Sequence, residues 1–118
     1  MRGLDRNRVS VVLLDADSEA RWLTRAALEE DGHFQVVAET GTGAAGRALA
    51  ASCEADLVLV GASLPDGAET ARGLREDVPR ARVVLLAGGP PPDVVAQLRA
   101  VLAADPSLAP RRPVVAVR

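Results

Sequence analysis

Short apolar runs rich in β-branched residues recur along the chain, and longer segments with helical periodicity separate them. Runs that are apolar at every position are typical of strands buried on both faces of a sheet. The predicted strands are Val9–Leu14, Phe34–Ala38, Leu57–Val60, Arg82–Ala87 and Val114–Val117. Because strands and helices alternate, the pattern predicts a parallel sheet with helices on both faces.

The segments between these strands predict four helices. Their ranges are Glu19–Glu30, about Ala44–Ser52, Glu69–Glu76, and a last helix that Asp93 caps and that reaches about Ala104. Ser18 is the expected N-cap of the first helix, and Gly32 is its expected terminator. One apolar face of that helix is expected to carry Trp22, Leu23, Ala26, Ala27 and Leu28.

The length of 118 residues and the hydrophobic fraction of 48% suit one domain with an ordinary core. Residues 1–8 are expected to form an N-terminal tail, and residues 105–113 a proline-rich loop. No helix is predicted after the fifth strand. One edge of the sheet would then need cover from a further segment of a longer protein, from a partner chain or from a compromise in packing.

Composition disfavours nucleic acid and membrane as direct partners. Aromatic residues amount to 2% and the net charge is -2, so neither stacking platforms nor a basic surface is expected. No apolar run approaches the roughly 20 residues of a membrane span. Cys53 is the one cysteine, which fits a reducing, cytoplasmic setting.

Five short motifs, taken in order, resemble a bacterial response-regulator receiver domain. They are Val11–Asp15, Val36–Glu39, Asp56–Val60, Leu64–Gly67 and Arg82–Leu86. The resemblance covers roughly residues 9–104 and implies a flavodoxin-like, doubly wound α/β domain with strand order 2-1-3-4-5. In typical members the first strand ends in two acids that hold magnesium, and the third ends in an aspartate that accepts a phosphoryl group.

The chain departs from this pattern at each position that carries the chemistry. Gly61 stands at the expected phosphoacceptor, and Asp15 is followed by Ala16 instead of a second acid. The resemblance also places Ala87 at the switch hydroxyl, and at best Arg118 at the lysine. Glycine offers no nucleophile, and one carboxylate holds magnesium weakly. We therefore expect no enzymatic activity, no metal and no cofactor.

Small residues remain at the carboxyl ends of the predicted strands, where ligands bind in open α/β sheets. They are Ala16, Gly61, Ala62, Ser63 and Ala87, with Asp15 and Asp17 beside them. One interpretation is that this degenerate pocket has collapsed, and the other is that it holds a small molecule. Asp17 is either a helix-capping residue or a group that leans into the pocket.

Gly41, Gly43 and Gly46 match the dinucleotide-binding pattern G-x-G-x-x-G between a strand and a helix. The competing interpretation is a tight turn into an alanine-rich helix. The motif follows the second strand instead of the first, which weakens the nucleotide hypothesis. His33 follows Gly32 in a turn and is expected to face solvent.

These features favour a phosphorylation-independent pseudo-receiver in bacterial signalling or transcriptional control. Such a domain would act by contact with an effector domain, with a partner protein or with a second copy in a homodimer. The first alternative is a domain that senses a small molecule in the vacated pocket. A less favoured alternative is nucleotide binding through Gly41–Gly46.

Overall fold

The computed structural model describes residues 8–86 and 90–104, which form a four-stranded parallel sheet and four helices. The strands are β1 (Val9–Leu14), β2 (Phe34–Thr40), β3 (Leu57–Val60) and β4 (Arg82–Leu85). The helices are α1 (Ser18–Asp31), α2 (Gly43–Cys53), α3 (Gly67–Asp77) and α4 (Pro91–Ala104). The strand order β2-β1-β3-β4 confirms the predicted class and the order of these strands. The predicted fifth strand, Val114–Val117, lies outside the described residues.

Helices cover both faces of the sheet, as predicted, because successive side chains of a strand point to opposite faces. The cluster against α1 and α4 contains Val9, Val11, Leu13, Leu28, Phe34, Val36, Leu57, Leu59, Leu86, Val94 and Leu98. The cluster against α2 and α3 contains Val12, Leu14, Ala50, Ala55, Val58, Val60, Leu64, Ala71, Leu74, Val78, Ala81 and Val83. The core is aliphatic apart from Phe34.

Helix α4 lies on the α1 face of the sheet. Right-handed crossovers from β2 to β3 and from β3 to β4 place α2 and α3 together on the opposite face. If a further parallel strand followed β4 through a right-handed crossover, the connecting helix would lie on the face that α2 and α3 cover. Since α4 packs beside α1 instead, it forms a second wall over the α1 face.

All four helices begin earlier than predicted, α3 at Gly67 instead of Glu69, and neither expected N-cap, Ser18 or Asp93, is confirmed. Asp17, not Ser18, caps α1: its backbone is extended, and its Oδ1 accepts hydrogen bonds from the amides of Glu19 (3.0 Å) and Ala20 (3.2 Å). The capping role predicted for Asp17 is confirmed. Asp93 is not a cap, because α4 already begins at Pro91, where a missing amide hydrogen is harmless.

The predicted apolar face of α1 is wrong at three residues, Trp22, Leu23 and Ala26, which are exposed. Trp22 is 66% exposed and Leu23 is 41% exposed, whereas Thr24 and Leu28 are buried. Compared with the prediction, the helix is rotated about its own axis, so that Thr24 and Leu28, four residues apart, face the sheet. Gly32 ends α1 in the left-handed conformation at φ 91°, as predicted. Within residues 8–86 and 90–104, none of the helices has the length and apolar character needed to cross a bilayer.

Candidate functional site

The strand register brings Asp15, Gly61 and Leu86 side by side at the carboxyl edge of the sheet. Leu14 pairs with Val60, and Val60 pairs with Leu85. The residues that follow these three therefore lie level with one another. Alternation along the strands directs all three toward the α1 and α4 face, where Leu86 joins the core. The topology therefore places the predicted pocket under these two helices.

The Asp15 carboxylate is buried and leans across Gly61. Asp15 is 7% exposed, and its Oδ1 accepts hydrogen bonds from the Asp17 amide at 3.0 Å and from the Ser63 hydroxyl. A Cβ atom at position 61 would lie 2.6 Å from Asp15 Oδ2 and 2.8 Å from its Cγ. The carboxylate thus occupies space that a side chain at position 61 would need.

A tight turn after β3 presents Ser63 to Asp15. The Gly61 amide donates to the Leu14 carbonyl at 2.6 Å, and the Leu64 amide donates back to the Gly61 carbonyl at 3.1 Å. Leu64 is buried, whereas Ser63 is exposed and reaches over the strand end. The turn fixes the hydroxyl that holds the carboxylate in place.

A cavity of about 200 Å³ opens beside this carboxylate. Its walls come from the strand ends, from α1 and from the start of α4, and it is lined by Asp15, Asp17, Ala20, Thr24, Gly61, Ala62, Ser63, Leu86 and Val94. Because Asp17, Ala62 and Ser63 are exposed, the cavity is open to solvent. A space of this size remains despite the inward lean of Asp15.

Five of the predicted site residues come together here: Asp15, Asp17, Gly61, Ala62 and Ser63. Ala16 is exposed and does not line the cavity. Ala87 and Arg118 lie outside the described residues. Four lining residues were not predicted from the sequence, namely Ala20, Thr24, Leu86 and Val94. Three of them project from helices, whereas the site was sought at strand ends, and Leu86 was expected only as part of the fourth strand.

The geometry offers binding groups and no nucleophile at the end of β3. Gly61 has no side chain there, and within residues 8–86 and 90–104 no group of three or more His, Cys, Asp or Glu residues could hold a metal ion. Arg21 approaches Asp15, but its Nη1 donates to the main-chain carbonyl at 2.7 Å, and its Nε pairs with Glu39 Oε1 at 3.1 Å. The guanidinium is therefore held by partners other than the Asp15 carboxylate.

An ion cluster at the other end of α1 ties that helix to α4. Asp31 Oδ1 lies 2.9 Å from Arg99 Nε, and Asp31 Oδ2 lies 2.8 Å from His33 Nδ1. Partial burial alone would raise the pKa of the Asp31 carboxyl, but the His33 hydrogen bond and the Arg99 charge outweigh it, and the pKa is lowered. The exposed position of His33 confirms its prediction. This cluster joins the two helices that form the cavity walls.

Packing accounts for two glycines of the G-x-G-x-x-G segment. A Cβ at Gly46 would lie 2.5 Å from Leu14 Cγ, and one at Gly43 would overlap the Thr70 hydroxyl. The Thr42 hydroxyl accepts a hydrogen bond from the Ala45 amide at 3.3 Å and caps α2. The segment is a capped turn into a closely packed helix, and nucleotide binding by it stays a prediction.

Solved receiver domains have this fold. A two-component response regulator of the LuxR family from Aurantimonas sp. superposes with a TM-score of 0.71 at 21% identity, over 82% of this chain and 86% of that one. The receiver domain of the NarL response regulator from Mycobacterium tuberculosis gives 0.68 at 21% identity, over 84% and 99%. RcsB from Salmonella typhimurium gives 0.70 at 18% identity, over 86% and 64%.

No protein-family model matches the sequence, and no curated protein matches it significantly. At these identities the structural likeness establishes the receiver fold. The catalytic positions must be judged from the residues of this chain.

Proposed function

We propose that this domain is a phosphorylation-independent receiver that regulates by protein contact in bacterial signalling or transcriptional control. The observation that carries the proposal is Gly61, which stands beside buried Asp15 at the carboxyl edge of a receiver-type sheet. No group at position 61 can accept a phosphoryl group, and the neighbouring carboxylate leans into the space beside it. The domain is therefore not an enzyme in this account.

Contact with a partner is the route left for regulation. The RcsB structures concern conformational dynamism for DNA interaction by that protein, and several neighbours are response regulators. For this chain we propose contact with an effector domain or with a second copy, in a cytoplasmic setting. Trp22 and Leu23 support this, because two large apolar side chains exposed at consecutive positions of α1 are available to a partner.

A second candidate function is sensing of a small molecule, which the cavity beside Asp15 favours. Cavities lined by apolar walls and a few polar groups are typical ligand sites. In this second candidate function, binding of the small molecule is the regulatory signal, as phosphorylation is in typical receivers.

Thermal unfolding with magnesium and beryllofluoride, a mimic of the phosphoryl group on aspartate, tests the main proposal. A ligand that binds only the folded state raises the melting temperature by mass action. We expect a change below about 1 °C for this protein and a clear rise for a phosphorylatable receiver measured beside it. A magnesium-dependent rise of several degrees here would show that another carboxylate has taken the acceptor role.

A further inference from the structure

We propose that the cavity beside Asp15 binds a small organic cation, namely an alkylammonium with a short carbon chain. The inference rests on the second candidate function, that this cavity senses a small molecule, and adds the chemistry of the ligand. Three properties of the lining support it: two acceptors that are accessible from the cavity and have no partner among the described residues, negative charge, and apolar surface.

Two acceptor groups line the cavity without a hydrogen-bond donor among the described residues. Both hydrogen bonds to the Asp15 carboxylate go to Oδ1, which leaves Oδ2 unpaired. Thr24 is 7% exposed, and its hydroxyl has no hydrogen-bond partner in the described part of the chain. Neither oxygen is fully buried, so both are accessible from the cavity and can accept hydrogen bonds from a ligand.

The charge of the lining selects a cation. Asp15 and Asp17 line the cavity, and no arginine, lysine or histidine of the described ranges does so. The Asp17 carboxylate already accepts hydrogen bonds from two amides at the start of α1. Asp15 is thus a buried carboxylate with no cationic partner in the described ranges. An ammonium group donates up to three hydrogen bonds and supplies the missing charge.

The remaining wall suits a short alkyl chain. Ala20, Leu86 and Val94 supply apolar lining, and Asp17 and Ser63 are exposed to solvent. A water molecule takes about 30 Å³ of liquid volume, so the cavity has room for roughly six waters. A chain of about four carbons fits this volume, with its ammonium group toward Asp15 and Thr24.

Titration of the ¹⁵N-labelled protein with n-butylammonium chloride, followed by NMR, tests the inference. We expect saturable shifts of the Thr24, Gly61 and Ser63 amides, with a dissociation constant of roughly 1–10 mM, since five non-hydrogen atoms support only weak binding. 1-Butanol and sodium butyrate have a similar size without the positive charge, and we expect neither to saturate the site. Equal binding of either compound would overturn the inference.

Substitutions in the cavity lining test whether n-butylammonium binds beside Asp15. Thr24→Val keeps the side-chain size and should weaken n-butylammonium binding about five-fold or more, and Asp15→Asn should weaken it about ten-fold or more. Glu76→Gln, at an exposed position on α3, is the matched control and should bind as the parent does. If Asp15→Asn fails to fold, the affinity of Thr24→Val for n-butylammonium decides whether the cavity is the binding site. Binding that is unchanged in Thr24→Val would overturn the assignment of the site.

Magnesium chloride is the competing cation. In one outcome, magnesium at low millimolar concentration displaces n-butylammonium and shifts the same amides. That result would show a site for cations in general and would overturn the assignment of an organic cation as the ligand. Absence of n-butylammonium binding would also overturn this inference. It would leave the main proposal standing, because beryllofluoride measures that proposal independently.

Discussion

Gly61 and Asp15 depend on each other at the level of single atoms. The buried carboxylate keeps its place because residue 61 has no Cβ, and two donors, the Asp17 amide and the Ser63 hydroxyl, hold it there. This arrangement makes the glycine a structural requirement of the site. A side chain introduced at position 61 would have to move Asp15 first.

We predict that Gly61→Ala lowers the free energy of unfolding by about 1–3 kcal/mol, because the new Cβ overpacks against Asp15. In an Asp15→Ala background the same substitution should cost at least about 1 kcal/mol less, since the clashing carboxylate is gone. Urea unfolding of the four proteins in this cycle measures both values. Additive effects of the two substitutions would show that the contact with Asp15 does not explain the glycine.

The sequence predicted the strand-end residues of the site but not its helical wall. Asp15, Gly61 and Ser63 follow apolar runs, so their common edge could be inferred from parallel pairing alone. Thr24 was hidden because a threonine between Leu23 and Arg25 carries no sign of burial. Its role depends on the rotation of α1, which the whole core sets, and which also leaves Trp22 exposed.

At the scale of elements, the position of α4 is the main result that the sequence pattern could not supply. Its predicted end at about Ala104 agrees with the structure, whereas the helix begins at Pro91 and not after the expected cap Asp93. Apolar periodicity is the same on either face of a sheet, so it cannot tell which face a helix covers. Contact with α1 decides this, and the Asp31, His33 and Arg99 cluster contributes to it.

We predict that Asp31→Asn destabilises the protein by about 1 kcal/mol at neutral pH, a modest value because Arg99 and His33 are half exposed. The pKa of Asp31 is lowered in the folded protein, so its stabilising effect is present above its ordinary pKa of 3.8 and is lost as the pH falls through the lowered value. The difference from the parent should therefore shrink below about pH 4.

Urea unfolding at a series of pH values measures this difference. Glu30→Gln, at the exposed position next to Asp31, is the control and should show little change at any pH. A difference for Asp31→Asn that stays constant from pH 7 to pH 3 would contradict the role assigned to the ionised carboxylate.

At the scale of the molecule, a receiver fold and a receiver's chemistry are separable. The apolar patterns predicted a parallel sheet with helices on both faces, and the resemblance to receivers implied the order of β1 to β4, which the structure confirms. Phosphoryl chemistry depends on a few residues at one edge of the sheet, and these residues are not needed to form the core. In the proposed function, the same fold supports regulation without phosphorylation.

Intact-mass spectrometry after incubation with acetyl phosphate and magnesium tests this central claim most directly. We predict no added phosphate on the parent protein. We also predict none on Gly61→Asp, because Ala16 leaves magnesium without its second acid and the new carboxylate would lie against Asp15. A phosphorylatable receiver treated in the same way should gain one phosphate. A phosphorylated form of the parent, mapped to Asp15, Asp17 or Asp66, would contradict the account.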